Sequence, residues 1–231
     1  PQTGFAQKRG VYPDLNCYGS FSEDDFANAS AIREITVRME IEDWEAFYQG
    51  LTRFENLEKI QFLRIVLPDL PASNVNPPPT LTRIEFNGCG RIPRVSQSPL
   101  AQNLESVYIR GESTGVDNML ADLRNVPGLK RLSLSPLEDA ELPVELFALS
   151  QVQVLDLGNC GLTQLPEDFL QMTGLKRLLL HNNELTEVPP VLKQMPNLEY
   201  VMLAENRIAI TDEDRAWIRE LKERRTADSK N

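Results

Sequence analysis

Leu175 to Pro189 reads LKRLLLHNNELTEVP. Leu178 and Leu180 alternate as the inward residues of a short strand do, since successive side chains of a strand point to opposite faces. Asn183 follows three residues after Leu180, then Leu185, Val188 and Pro189. One unit upstream the chain reads VQVLDLGNCGLTQLP, from Val152 to Pro166, and one unit downstream it reads LEYVMLAENRI, from Leu198 to Ile208. The shared pattern, L-x-x-L-x-L or a close apolar substitute, starts at Leu57, Leu81, Leu104, Leu129, Val152, Leu175 and Leu198, at spacings of 24, 23, 25, 23, 23 and 23. One such match is weak. Seven in a single phase are strong, because a fixed period of this length marks stacked units that bury one long core and leave one long open surface.

These units resemble the leucine-rich repeat, L-x-x-L-x-L-x-x-N/C-x-L-x-x-L-P, in its 23-residue form. The likeness runs over residues 57–208 and is most faithful after Leu129. It implies an α/β leucine-rich repeat solenoid, with a curved parallel sheet on the concave face and short helices and irregular turns on the convex face. It also implies a structural ladder, in which the Asn of each motif bonds the backbone of its turn and of the adjacent repeat, satisfying polar groups that stacking would bury unpaired. Asn183 and Asn206 fit that role, and Cys89 and Cys160 occupy the same slot, whereas Ile65, Glu112 and Leu137 depart from it.

The chain around the repeats reads as caps, which a solenoid needs because an end repeat exposes its core. Residues 1–20 are expected to be a flexible segment and 21–56 an N-terminal cap with one degenerate repeat, in which Ile32, Ile35 and Val37 keep the motif spacing. Ser22 before Glu23, Asp24 and Asp25 reads as a helix start. The seven repeats fill 57–209, a capping helix 210–226 places Trp217, Ile218 and Leu221 on one face, and 227–231 form a disordered tail. On the convex side, Trp44–Leu51 and Val116–Val126 suit helices, and Pro143–Leu149, Pro166–Met172 and Pro190–Met195 suit shorter ones led by proline. The proline-rich stretch 68–80 is expected to be extended, and 92–100 to be similar. At 231 residues and 41% hydrophobic, the chain suits one domain.

Composition narrows the function. No run is long enough to span a membrane, so no membrane insertion is expected, and no signal peptide is visible at 1–20. Three cysteines, Cys17, Cys89 and Cys160, do not make a disulfide framework; they point to a reducing compartment and a cytoplasmic location, or delivery into a host cell for a bacterial effector. Net charge is −10, and residues 21–58 hold ten acids against three bases, which argues against a nucleic-acid partner. Solubility is the plain account of that acidic end. The single histidine, His181, has no partner for catalysis or zinc: Cys160 points into the ladder, and GCG at 88–90 is a turn rather than a phosphate loop. No enzyme activity, metal or cofactor is expected, and the chain alone should be monomeric.

The third, fifth, seventh and eighth residues of each motif should face solvent on the concave sheet. They place Lys59, Arg83, Tyr108, Arg110, Arg131, Asp156, Arg177, Leu179, His181, Tyr200 and Met202 there as candidate partner-binding residues. Lys59, Arg83, Arg131 and Arg177 make a discontinuous basic row on an acidic protein. Leu179, Tyr200 and Met202, extended by Val154 and Tyr108, are apolar where the strands should meet water, and such surfaces usually mark contact with another protein. The opposing account has the bases neutralising nearby acids, with Tyr200 and Met202 covered by the C-terminal cap or an adjoining domain. Two functions follow: a non-catalytic protein-interaction module, or the substrate-recognition part of a larger enzyme. The repeats also resemble those of bacterial effectors carrying ubiquitin-ligase domains, whose catalytic Cys lies in C-x-D. Here the cysteines read CYG, CGR and CGL, so that part is not in this chain. Similar repeats occur in Ras-group signalling proteins and intracellular immune receptors.

Overall fold

The computed structural model describes residues 14–17, 21, 23–68, 76–136 and 141–228. The strands among them are β1 (Asp14–Cys17), β2 (Glu34–Val37), β3 (Lys59–Leu63), β4 (Arg83–Asn87), β5 (Ser106–Arg110), β6 (Arg131–Ser135), β7 (Val154–Asp156), β8 (Arg177–Leu179) and β9 (Tyr200–Met202); β1 to β5 pair in chain order, each parallel to the next, and so do β6 to β9. From β3 onward each strand starts at the third residue of one of the seven motifs. The motif period is thus the strand register: Lys59 pairs with Arg83, and Arg131 with Val154, Arg177 and Tyr200 in turn.

Where the sequence suggests a single domain, the chain divides into two compact units, one ending at Leu129 and one beginning at Lys130. Repeats pack mainly on their neighbours, so each unit is held by its own stack. The first unit carries β1–β5 and the second β6–β9. In each, the fourth and sixth motif residues fill the interior. Ile60, Phe62, Ile84, Phe86, Val107 and Ile109 are buried in the first, and Leu132, Leu134, Leu155, Leu157, Leu178 and Leu180 in the second. The last repeat is the exception, with Val201 and Leu203 only half-buried.

Residue eight of each motif closes the strand with a left-handed backbone. Arg64, Gly88, Gly111, Asn159, Asn182 and Glu205 all have positive φ, between 53° and 70°. Glycine adopts this conformation without steric cost and asparagine tolerates it, whereas most side chains crowd the following carbonyl. The fourth motif has Pro136 there, preceded by a cis peptide bond.

Between strands the chain returns along the other side through short helices: α1 (Glu23–Phe26), α2 (Trp44–Leu51), α3 (Val116–Leu123) and α4 (Pro190–Lys193), with 3-10 turns at Pro99–Ala101, Val144–Ala148 and Glu167–Gln171. The two 3-10 turns in the second unit replace the short helices expected over 143–149 and 166–172; Pro143 and Pro166 directly precede them. The helix expected to reach Val126 stops at Leu123. Asp43 caps α2 by accepting from the Ala46 N–H at 2.9 Å. The closing helix α5 (Asp212–Asp228) follows Thr211.

Two boundaries differ from the sequence reading. Residues 14–17, expected within a flexible segment, form β1 and pair with β2, with Leu15 and Cys17 buried. DLNC is too short to show the motif, and its two inward residues are the only apolar signal. At the other end α5 continues to Asp228, past the expected start of the tail, while 229–231 lie outside the described residues, as do Ser22, Leu137 and 69–75 of the proline-rich stretch.

Candidate functional site

The ladder slot shows how the turns are held. Asn183, buried, accepts from the N–H groups of Cys160 at 3.1 Å and Leu162 at 3.0 Å, and donates to the carbonyls of Leu157 at 2.9 Å and Leu180 at 3.0 Å. Asn206 accepts from Leu185 N–H at 3.1 Å and donates to Leu180 and Leu203 carbonyls. Cys160 turns its thiol inward to the Leu134 carbonyl at 3.1 Å, and Cys89 turns its own to Phe62 at 3.5 Å. Glu112 is exposed, and two residues later the Thr114 hydroxyl donates to the Gly90 carbonyl instead.

On the open face of the first unit, Lys59 and Arg83 are already engaged. Lys59 contacts Glu34 and lies 3.6 Å from Glu85, and Arg83 contacts the same Glu85. Glu85 was expected to face water, but its side chain is 3% exposed and Ser133, at the same position of its motif, is also buried. Burying a carboxylate demands cations beside it. The Arg83 guanidinium also lies 4.0 Å over the Tyr108 ring, with Arg110 at 5.4 Å. Cation–π contact of this kind holds Tyr108 against the sheet.

The second unit presents a different face. Arg131 and Arg177 are exposed and, among the described residues, neither has an ion pair. Between them in register lies half-buried Val154, and beyond Arg177 lies Tyr200, whose ring is 5.1 Å from the Arg177 guanidinium. The next row runs Ser133, Asp156, Leu179, Met202. Asp156 accepts the Gly158 N–H at 3.0 Å, which turns its carboxylate to its own turn. Leu179 and Met202 are half-buried. His181 lies over Gly158 so closely that a Cβ there would stand 2.2 Å from the imidazole, so the ring needs a glycine beneath it. Its Nδ1 is shielded and, among the described residues, has no hydrogen-bond partner.

The structure thus places the candidate residues in two groups. Lys59, Arg83, Tyr108 and Arg110 belong to the first unit, and Arg131, Asp156, Arg177, Leu179, His181, Tyr200 and Met202 to the second. Three acids that the sequence reading passed over are structural. Glu85 is one; aligning the motifs sets it two residues beyond Arg83, the register partner of Lys59, which is the signal that could have found it. Asp122, on α3, accepts from the Val95 and Ser96 N–H groups at 2.7 and 2.8 Å and pins the loop at 92–100. Asp214 accepts from Thr211 N–H and hydroxyl and pairs with Lys193 at 2.9 Å. Its carboxyl is held down at about 2 by the Thr211 backbone, the Lys193 ammonium and the Thr211 hydroxyl.

Burial pushes the Cys17 thiol up to about 12, with Asp25 adding to the effect, so it is not a nucleophile. Among the described residues no group of three His, Cys, Asp or Glu side chains is gathered as a metal requires, and no helix is long and apolar enough to cross a membrane.

A parallel strand in each repeat, a left-handed turn after all but one of the seven motifs, and a ladder residue in four of them define a repeat scaffold. A family model described as leucine rich repeat matches residues 141–213, so that stretch is similar to leucine-rich repeat proteins. No curated protein matches it. Among solved structures it is similar to TLR13 in a TLR13–ssRNA13 complex, at 19% identity and a TM-score of 0.58, covering 84% of this chain and 29% of that one. It is also similar to an internalin, InlF, of Listeria monocytogenes, at 16% identity and a TM-score of 0.48, over 89% of this chain and 56% of that one. A leucine-rich repeat protein of Leptospira interrogans gives 15% identity and a TM-score of 0.42, over 84% and 71%. The chain spans less than a third of TLR13 and a little over half of the internalin. At these identities the likeness is one of fold, and the sequence argument against nucleic acid gains no support from a neighbour that is itself in complex with RNA.

Proposed function

We propose that this chain is a non-catalytic protein-binding module whose partner sits on the open face of the second unit. The observation that carries the reading is the set of half-buried apolar side chains, Leu179, Tyr200 and Met202, on the solvent side of the sheet beside exposed Arg177. Aromatic, methionine and arginine side chains are the ones enriched at protein interfaces. Asp156 and His181 flank this patch, and Arg131 and Val154 continue it. The first unit supports binding less well, because Lys59, Arg83 and Tyr108 are spent on Glu34, Glu85 and one another. The three cysteines are buried and none is in a disulfide, which supports a reducing compartment.

The test is a quantitative pull-down from source and candidate-host lysates with the wild-type chain beside an Arg131→Glu, Arg177→Glu, Tyr200→Ala variant of unchanged circular dichroism. A partner held by the first bait and lost by the second supports the reading. Equal capture by both moves the site to another face. A second reading, the recognition part of a larger protein, is favoured by the small share of TLR13 that the chain spans. Sequencing the complete reading frame decides it.

A further inference from the structure

The partner's chemistry can be read from which cations of the open face are left over. In the third-position row of the first unit the bases Lys59 and Arg83 meet acids: Glu34, Lys59 and Arg83 are register partners on successive strands, and buried Glu85 lies against both bases. Among the described residues, the second unit has the corresponding bases without the acids. Arg131, Val154, Arg177 and Tyr200 form its third-position row, and the one carboxylate in the row beside it, Asp156, is turned to the Gly158 N–H. An arginine held on a sheet with no counter-ion, on a protein of net charge −10, is an unfilled binding position rather than part of a surface balance. Resting on the reading just given, we infer that the second unit recognises an extended acidic segment of another protein, with Arg131 and Arg177 each taking a carboxylate and Leu179, Met202 and Tyr200 taking an apolar side chain next to the second acid.

The spacing fits an extended chain crossing the strands. Arg131 and Arg177 lie two strands apart, about 10 Å at the usual strand separation. Three residues of polyproline-type chain span about 9 Å and return to the same side, so acids three apart face both guanidiniums. Each guanidinium can grip its carboxylate through two parallel hydrogen bonds. An RNA strand is the poorer occupant. Its affinity comes from neutralising many phosphates, and among its described residues this row offers two cations without an ion pair, Arg131 and Arg177, beside the apolar Val154, Leu179 and Met202.

The experiment is selection of a random twelve-residue peptide library displayed on phage against the full chain, repeated against an Arg131→Gln, Arg177→Gln variant and a Lys59→Gln variant. Circular dichroism and melting confirm that each folds. The expected result is enrichment of peptides with Asp or Glu three positions apart followed by Leu, Phe or Met. The enrichment is lost with the double variant and kept with Lys59→Gln. A synthetic peptide of the selected sequence should bind the double variant about tenfold more weakly or worse. Acidic enrichment that survives the double variant overturns the inference, as does a selection without acids or without any consensus. Selection of purely apolar peptides that are lost on Tyr200→Ala with Met202→Ala would overturn it while leaving the open-face reading standing. Tighter binding of a labelled single-stranded RNA than of any selected peptide, abolished by the double variant, would replace it with a nucleic-acid site.

Discussion

Leu178 and Leu180 are fully buried, and each sits where a charge would have no partner. Leu178→Asp or Leu180→Asp should cost more than about 4 kcal/mol, enough to unfold the second unit; a normal cooperative melt of either variant would show that these positions do not point inward. Arg83 and Arg131 occupy the same motif position but should behave oppositely. Arg83→Ala strips a cation from buried Glu85 and should cost about 2 kcal/mol or more, whereas Arg131→Ala should change the melting temperature little. Equal effects of the two in thermal denaturation would remove the distinction between the spent and the available bases. The left-handed positions give a gain instead: Glu205→Gly relieves a non-glycine at φ 58° and should stabilise by about 0.5–1 kcal/mol in denaturant titrations. At this scale much was legible. The inward apolar residues of each motif follow from periodicity, and the ladder slot follows from the resemblance to the repeat. What was hidden is pairing: whether a base is used or spare depends on a neighbour some 25 residues away and on the burial of Glu85, and a list of outward positions does not contain either fact.

The closing helix shows how an element's stability is wired to pH. Thr211 and Asp214 make reciprocal bonds at its start, with the Thr211 hydroxyl accepting from Asp214 N–H at 3.1 Å while the Asp214 carboxylate accepts from Thr211. This is a capping box with Asp in place of the usual Glu. Because the folded carboxyl lies at about 2, below the value near 4 of a free aspartate, the cap contributes fully above about pH 4 and loses its contribution as pH falls toward about 2. Asp214→Asn should therefore lower stability at neutral pH and flatten the stability slope between about pH 4 and pH 2. Parallel slopes for the variant and wild type in melts across that window would detach the cap from the acid response. The acids-first pattern of this helix was readable in the sequence; the reach of Lys193 from α4 to Asp214 was not, since it joins two elements separated by the whole last repeat.

For the molecule as a whole, the three cysteines report on folding. All are buried, and the Cys17 thiol is pushed up to about 12. A thiol reagent should modify none of them quickly under native conditions and all three after denaturation. Rapid native labelling of Cys17 would mean that β1 opens readily. The solenoid class was plain from seven motifs in phase, while the division at Leu129 was not. It falls beside the one motif whose eighth residue is a proline, and the motif phase runs straight through it.

The direction of the ladder carries a consequence for how the protein is made. Asn183 closes backbone groups at Leu157, Cys160 and Leu162, and Asn206 closes Leu180 and Leu185, each one repeat behind it. A ribosome delivers the open turn first and its asparagine some twenty residues later. These two turns are completed by the repeat that follows, so a stalled or cleaved product that ended before Asn183 or Asn206 would leave the backbone groups of the preceding turn unanswered.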